Sequence, residues 1–172
     1  MWARRGNMLL QAVRQQSTEV PAVEKTLVLV KPEGLQRGLA FRILHRFEDR
    51  GLRLAGLKLI LASQSQLDAH YSAALGEPYC EALMTAMRAG PLVASVWEGL
   101  GAIGAARSLI GSTYPLQSPP GTIRGDFGLH QRRNLVHASD SLASAQKEIA
   151  IWFTKDELVE WEQKCLDFII ER

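Results

Sequence analysis

The chain has 172 residues, 47% apolar and 22% charged, with a net charge of +2. That is the length of one domain with apolar content enough for a packed core, which excludes intrinsic disorder. Three arginines against two glutamates in residues 1–24 leave 17 basic and 16 acidic residues after them, which excludes nucleic-acid binding by bulk charge, and no uncharged apolar run is long enough to span a membrane.

Residues 1–24 stand apart. Arg4, Arg5 and Arg14 are interleaved with Trp2, Met8, Leu9, Leu10 and Val13, and no acid precedes Glu19. A basic, acid-poor, amphipathic start predicts a mitochondrial transit peptide. The alternatives are a cytoplasmic chain, or an extension that joins the protein to a larger assembly. The pattern then becomes dense. Thr26–Val30 predicts a short strand, which Lys31-Pro32-Glu33-Gly34 breaks. Leu39, Ile43, Leu44 and Phe47 recur at helical spacing, and Gly51 stops that helix. Residues 53–62 predict a strand, 65–73 and 79–87 two short helices, 91–97 a buried strand and 102–110 a helix. Residues 111–125, with three prolines and three glycines, predict a long functional loop. A strand at Asn134–Val136 and a helix at Leu142–Trp152 follow. Strands interleaved with helices give α/β layers.

Gly99-Leu100-Gly101-Ala102-Ile103-Gly104 matches the dinucleotide-binding glycine pattern, and Asp126 follows about 20 residues on. That fingerprint needs a second strand ending at the acid. No apolar run precedes Asp126, so the glycines predict only a tight strand-to-helix turn. The cysteines, Cys80 and Cys165, are far apart and form no metal or disulfide pattern, which fits a reducing compartment.

The run Arg133-Asn134-Leu135-Val136-His137-Ala138-Ser139-Asp140-Ser141 carries the chemistry. A loop histidine is ordinarily satisfied by a backbone hydrogen bond. Here it precedes a helix start with three N-cap types, where free N–H groups attract phosphate, and an imidazole there can be a nucleophile toward phosphorus. Lys31, Arg107 and Arg124, with Thr113 at the start of the long loop, add three cations, as a triphosphate site requires.

With these residues in place the chain resembles the nucleoside diphosphate kinases. The matching segments are KPEGLQRGL at 31–39, RFEDRGLRLAGLKL at 46–59, GPLVASVWEG at 90–99, PGTIRGDF at 120–127, NLVHASDS at 134–141 and KEIAIWF at 147–153. The resemblance covers 25–172, and the ending, 154–172, looks like the longer eukaryotic type. It implies a ferredoxin-like α+β sandwich, a four-stranded antiparallel sheet covered by helices, in a domain at 25–172 behind the extension at 1–24. The implied activity moves the γ-phosphate of a nucleoside triphosphate to a nucleoside diphosphate by a ping-pong route through a phosphohistidine.

Several roles come with the resemblance and not from spacing. His137 would accept the phosphate, Glu148 would hold the other ring nitrogen, and Ser139 would support Glu148. Lys31, Tyr71, Arg107, Thr113 and Arg124 would surround the phosphates, and Asn134 with Lys31 would bond the sugar hydroxyls. Tyr79 would stack on the base without choosing among bases. Mg2+ would ride on the nucleotide phosphates with no protein ligands, Pro115 would sit in a loop at which subunits meet, and the assembly would be a hexamer. The chain departs from the family pattern at Gly76, Glu77, Ala86, His130 and Gln131, none of them catalytic positions.

Overall fold

The computed structural model describes residues 22–164 and Ile169. Residues 1–21 of the extension at 1–24, and Cys165, lie outside the described residues. Strands β1 (Val23–Val30), β2 (Arg53–Ile60), β3 (Leu92–Leu100) and β4 (Val136–Ala138) form one antiparallel sheet in the order β2-β3-β1-β4. The helices are α1 (Pro32–Gln36), α2 (Ala40–Asp49), α3 (Gln64–His70), α4 (Cys80–Arg88), α5 (Ala102–Ile110), α6 (Ile123–Phe127) and α7 (Leu142–Trp152). This is the α+β sandwich that the resemblance implies.

Helices cover both faces of the sheet, so its central strands are apolar on both sides. Along β1, Val28 and Val30 enter one core with Ile43, Phe47 and Trp97. Leu27 and Leu29 enter the other with Leu67, Met84 and Trp152. Phe47 stacks on Trp97 with ring centroids 5.4 Å apart. Burying side chains of this size contributes about 1.5–3 kcal/mol each.

The structure shifts several predicted boundaries. β1 begins at Val23, not Thr26, because residues 23–25 pair with Glu98–Leu100 at the sheet end. The break at Lys31 is itself the start of a helix, α1, with Pro32 in the first turn where its missing N–H costs nothing. The 65–73 helix ends at His70 and gives way to a 3-10 turn at Ser72–Ala74. The 111–125 loop holds a 3-10 turn at Pro115–Gln117 and the start of α6, which Thr122 caps by accepting from the Gly125 N–H at 3.1 Å. The last strand begins at Val136 and not at Asn134, for a reason that lies in the site.

The glycine pattern does what a turn needs. Gly101 precedes α5 with φ of 54°. A Cβ on Gly99 would meet Leu52 Cδ2 at 2.8 Å. β1 lies between β3 and β4, so α5 joins no adjacent parallel pair, and Asp126 is ion-paired with Arg46 at 3.0 Å.

Candidate active site

β4 places the histidine. Its middle residue, His137, is paired with Leu29 of β1, and the neighbours Val136 and Ala138 are buried while His137 is half-buried. Two turns into α7, Glu148 reaches back. His137 Nε2 and Glu148 Oε2 are 3.0 Å apart. The same oxygen accepts from the Ser139 hydroxyl at 2.6 Å, and Ser139 Oγ accepts from the Leu27 N–H at 3.2 Å. Ser139 is fully buried and so ties Glu148 to the sheet. Burial pushes the Glu148 carboxyl up, but hydrogen bonds and charge from His137, with the Ser139 bond, outweigh it and hold it below the usual range. An ionised acceptor at Nε2 fixes the proton there and leaves the Nδ1 lone pair free. That nitrogen is the nucleophile this geometry offers.

Two residues that the sequence reading passed over complete the histidine's surroundings. The His70 ring stands edge-on to His137 with centroids 4.6 Å apart. Trp152 donates its indole N–H to His70 Nδ1 at 3.1 Å. Burial and then His137 lower the His70 pKa to about 3, so it is neutral and carries its proton on Nε2. His70, His137 and Glu148 offer ligand atoms within 4.8 Å of one another. Both His70 nitrogens are already committed, one accepting and one protonated, so this trio is a poor metal site. A lone histidine gives no sequence signal. Its indole partner lies in the KEIAIWF segment, where it reads as core.

The cations lie at different depths. Lys31, at the end of β1, is buried and donates to Asn134 Oδ1 at 2.7 Å. Burial lowers its pKa to about 8, with Glu33 opposing the shift and Arg124 and Arg133 adding to it. Arg124, in α6, is also buried. Its guanidinium donates to the carbonyls of Asn134 (3.2 Å), Gly111 (3.1 Å) and Val136 (2.7 Å), leaving two of five N–H donors. Burial, with Arg107 nearby, lowers its pKa to about 10. Arg107 is exposed on α5 and makes no ion pair or side-chain hydrogen bond among the described residues. Thr113 is exposed, and its carbonyl accepts from Asn134 Nδ2 at 3.4 Å. Tyr71 follows α3, its ring 4.6 Å from that of His70, and burial raises its phenol pKa.

The helix start behind His137 has one of its free N–H groups taken by a side-chain cap. Ser141 caps it, accepting from the Ser144 N–H at 3.2 Å. The neighbouring Ser144 and then Ser141 hold the exposed Asp140 carboxyl below its ordinary pKa.

Tyr79 precedes α4 and is 55% exposed, leaving its ring free to stack. Beside it runs an open cleft of about 450 Å³ lined by Pro78, Glu81, Ala82, Ala86 and Arg133. The small side chain of Ala86 contributes to its width. His130 and Gln131 lie in an exposed turn, where His130 bridges to Arg133.

Asn134 and His137 are joined by a strained turn. The Val136 N–H donates to the Asn134 carbonyl at 2.8 Å, and Leu135 between them has φ of 71°. This is a γ-turn of the rarer, strained kind. A bulky residue in that conformation costs of order 1–3 kcal/mol. The turn is why β4 begins one residue past it.

A model of the family Nucleoside diphosphate kinase matches residues 24–158. A nucleoside diphosphate kinase of Saccharomyces cerevisiae is 46% identical over 148 residues, 86% of this chain and 97% of that protein. One of Synechococcus sp. is 49% identical over 149 residues, 87% of this chain and all of that protein. Among solved structures, the nucleoside diphosphate kinase of Halobacterium salinarum in complex with CDP superposes with a TM-score of 0.85 at 38% identity, covering 87% of this chain and 100% of that one. A family protein from Babesia bovis gives 0.83 at 41%, over 86% of this chain and 99% of that one. The chain belongs to the nucleoside diphosphate kinase family, phosphotransferases that pass a phosphoryl group between nucleotides.

Proposed function

We propose that His137 carries the phosphoryl group. The observation that supports this is the Ser139–Glu148–His137 relay, which fixes the proton on Nε2 and presents Nδ1. Nδ1 attacks the γ-phosphorus of the donor triphosphate. The N–P bond forms, the bond to the β–γ bridging oxygen breaks, and its electrons leave with the diphosphate. The second half reverses these steps with an acceptor diphosphate. As the ring takes on positive charge, the Glu148 carboxylate stabilises it. Lys31, Arg107 and the spare donors of Arg124 meet the charge spread over the phosphoryl oxygens. Tyr71 and Thr113 complete that rim, and Asn134 with Lys31 holds the sugar.

Mg2+ fits this site as a passenger on the nucleotide. Its preference is for oxygen ligands, and the one carboxylate beside His137 already serves His137 and Ser139. Carried on the nucleotide, it would neutralise phosphate charge. Initial rates test the route. Double-reciprocal plots at several acceptor concentrations should be parallel, and intersecting lines would mean direct transfer in a ternary complex.

Tyr79 supplies base affinity without base choice. Stacking is worth about 1–3 kcal/mol per base, so Tyr79→Ala should lower kcat/KM for ADP, GDP, CDP and UDP by a similar factor, roughly tenfold. Loss for one base alone would place the base elsewhere.

The part of the β2 edge beyond Ala55, past the bonds from Val159 and Trp161 to Ala55 and Leu54, supports assembly into a homo-oligomer, here proposed as a hexamer. Leu57 and Leu59 are exposed on that edge and Leu61 just beyond it, and an exposed apolar edge strand invites a second copy. Tyr114 and Leu116, flanking Pro115, offer further apolar contact.

Residues 1–24 are proposed to direct the chain to mitochondria. Fused to a fluorescent reporter they should carry it there. A diffuse cytosolic signal would refute the targeting role.

A further inference from the structure

We propose that Glu33 is a positioning residue for the phosphoryl transfer: its carboxylate holds the strained turn at Leu135, and so fixes Asn134 and His137 relative to Lys31. The inference rests on His137 as the phosphoryl carrier. It begins with the backbone of Leu135, which is fully buried. A buried N–H or carbonyl needs a partner. The segment at the start of α1 supplies both. The Leu135 N–H donates to Glu33 Oε1 at 3.3 Å, and the Leu135 carbonyl accepts from the Lys31 N–H at 2.8 Å. With the Lys31 ammonium on Asn134 Oδ1, three bonds stitch residues 31–33 to residues 134–135.

The packing allows little slack. A Cβ on Gly34 would sit 3.2 Å from the Leu135 carbonyl oxygen and 2.8 Å from Val30 Cγ1, so α1 lies directly against the turn. Arg124 grips the outer carbonyls, of Asn134 and Val136, on either side of it. Among the described residues, nothing but the Glu33 carboxylate serves the Leu135 N–H. Without it the turn has a buried, unpaired donor and a route to relax toward negative φ. Such a relaxation would rotate Asn134 against His137, which starts two residues later.

The second carboxylate oxygen points to a further duty. Glu33 Oε2 is buried with no hydrogen-bond partner among the described residues. A buried charge is retained where it has charge to answer. The charged groups acting on Lys31 are Glu33, Arg124 and Arg133, and of these Glu33 alone attracts an ammonium. Its charge therefore helps keep Lys31 protonated beside two arginines, as phosphate binding requires.

Three variants of the full chain test this. Glu33→Ala removes both the acceptor and the charge, and kcat should fall roughly 10–100-fold, more than KM rises. Glu33→Gln keeps an oxygen for the Leu135 N–H but loses the charge. Its kcat near neutral pH should stay within a few-fold of wild type, while the alkaline fall in kcat/KM moves down by about one pH unit. Glu33→Asp should restore the wild-type pH profile. A merely structural glutamate would change the melting temperature and leave the pH profile alone. The proposal is overturned if Glu33→Ala keeps its kcat within about twofold, or if the Glu33→Gln profile superimposes on wild type. Should the alanine variant not fold, the glutamine profile decides by itself. Failure of the underlying mechanism reads differently, because His137→Ala would then turn over whatever Glu33 does.

Discussion

His137→Ala is expected to lose about 10⁴-fold or more in turnover while remaining folded. A covalent carrier has no substitute, since water or a neighbouring side chain cannot hold the phosphoryl group between two nucleotides. His70 is no replacement. It is neutral, and the nitrogen that Trp152 leaves free carries its proton. Stability should change little. The His137 side chain is 23% exposed on an edge strand, and the packing beside it comes from Val136 and Ala138. Glu148 keeps its bond to Ser139 in the variant. A coupled assay and a thermal melt, run on the same sample, separate the two quantities. Turnover within tenfold of wild type would remove His137 from the chemistry.

The second large effect belongs to Lys31. Among the described residues, it is the site's buried cation whose side chain donates to no backbone carbonyl, its one bond being to Asn134 Oδ1, so further ammonium donors are left for the nucleotide. Lys31→Ala should reduce kcat/KM by about 10²–10³-fold, as loss of a donor aimed at transition-state charge does. The pH dependence identifies the group. Burial lowers its pKa to about 8, so the ammonium is charged below that value and is lost as pH rises through it. Wild-type kcat/KM, which reports the free enzyme, should therefore be full below pH 8 and decline above it. In Lys31→Ala the decline near 8 should be gone. If it persists, another group titrates there and Lys31 is misassigned.

Much of this architecture is legible in the chain because burial writes a period into it. The apolar run Leu27–Val30 within β1 fits a strand covered on both faces, and the spacing of Ile43, Leu44 and Phe47 announces one face of α2. The site is legible in part. His137 and the cations stand out by residue type, but the tie from Glu148 to His137 spans the gap between β4 and α7, and only the family resemblance pointed to it. The turn at Leu135 left no trace. Nothing about a leucine flanked by Asn and Val marks a positive φ, because tertiary hydrogen bonds from Glu33, Lys31 and Arg124 impose it. α6 was hidden for the opposite reason: the prolines and glycines before it read as loop, and its cap, Thr122, sits among them. The helix start at Ser141 is as the cap residues announce it, with Ser141 accepting from the Ser144 N–H.

The most direct measurement is the phosphoenzyme. The full chain, incubated with Mg2+ and ATP labelled at the γ-phosphate, is separated from nucleotide and digested. The label should be stable in alkali and lost in acid, should lie on the peptide containing His137, and should pass to GTP when GDP is added before digestion. An acid-stable label, a label on any other residue, or brisk turnover with no labelled protein at all would contradict transfer through His137.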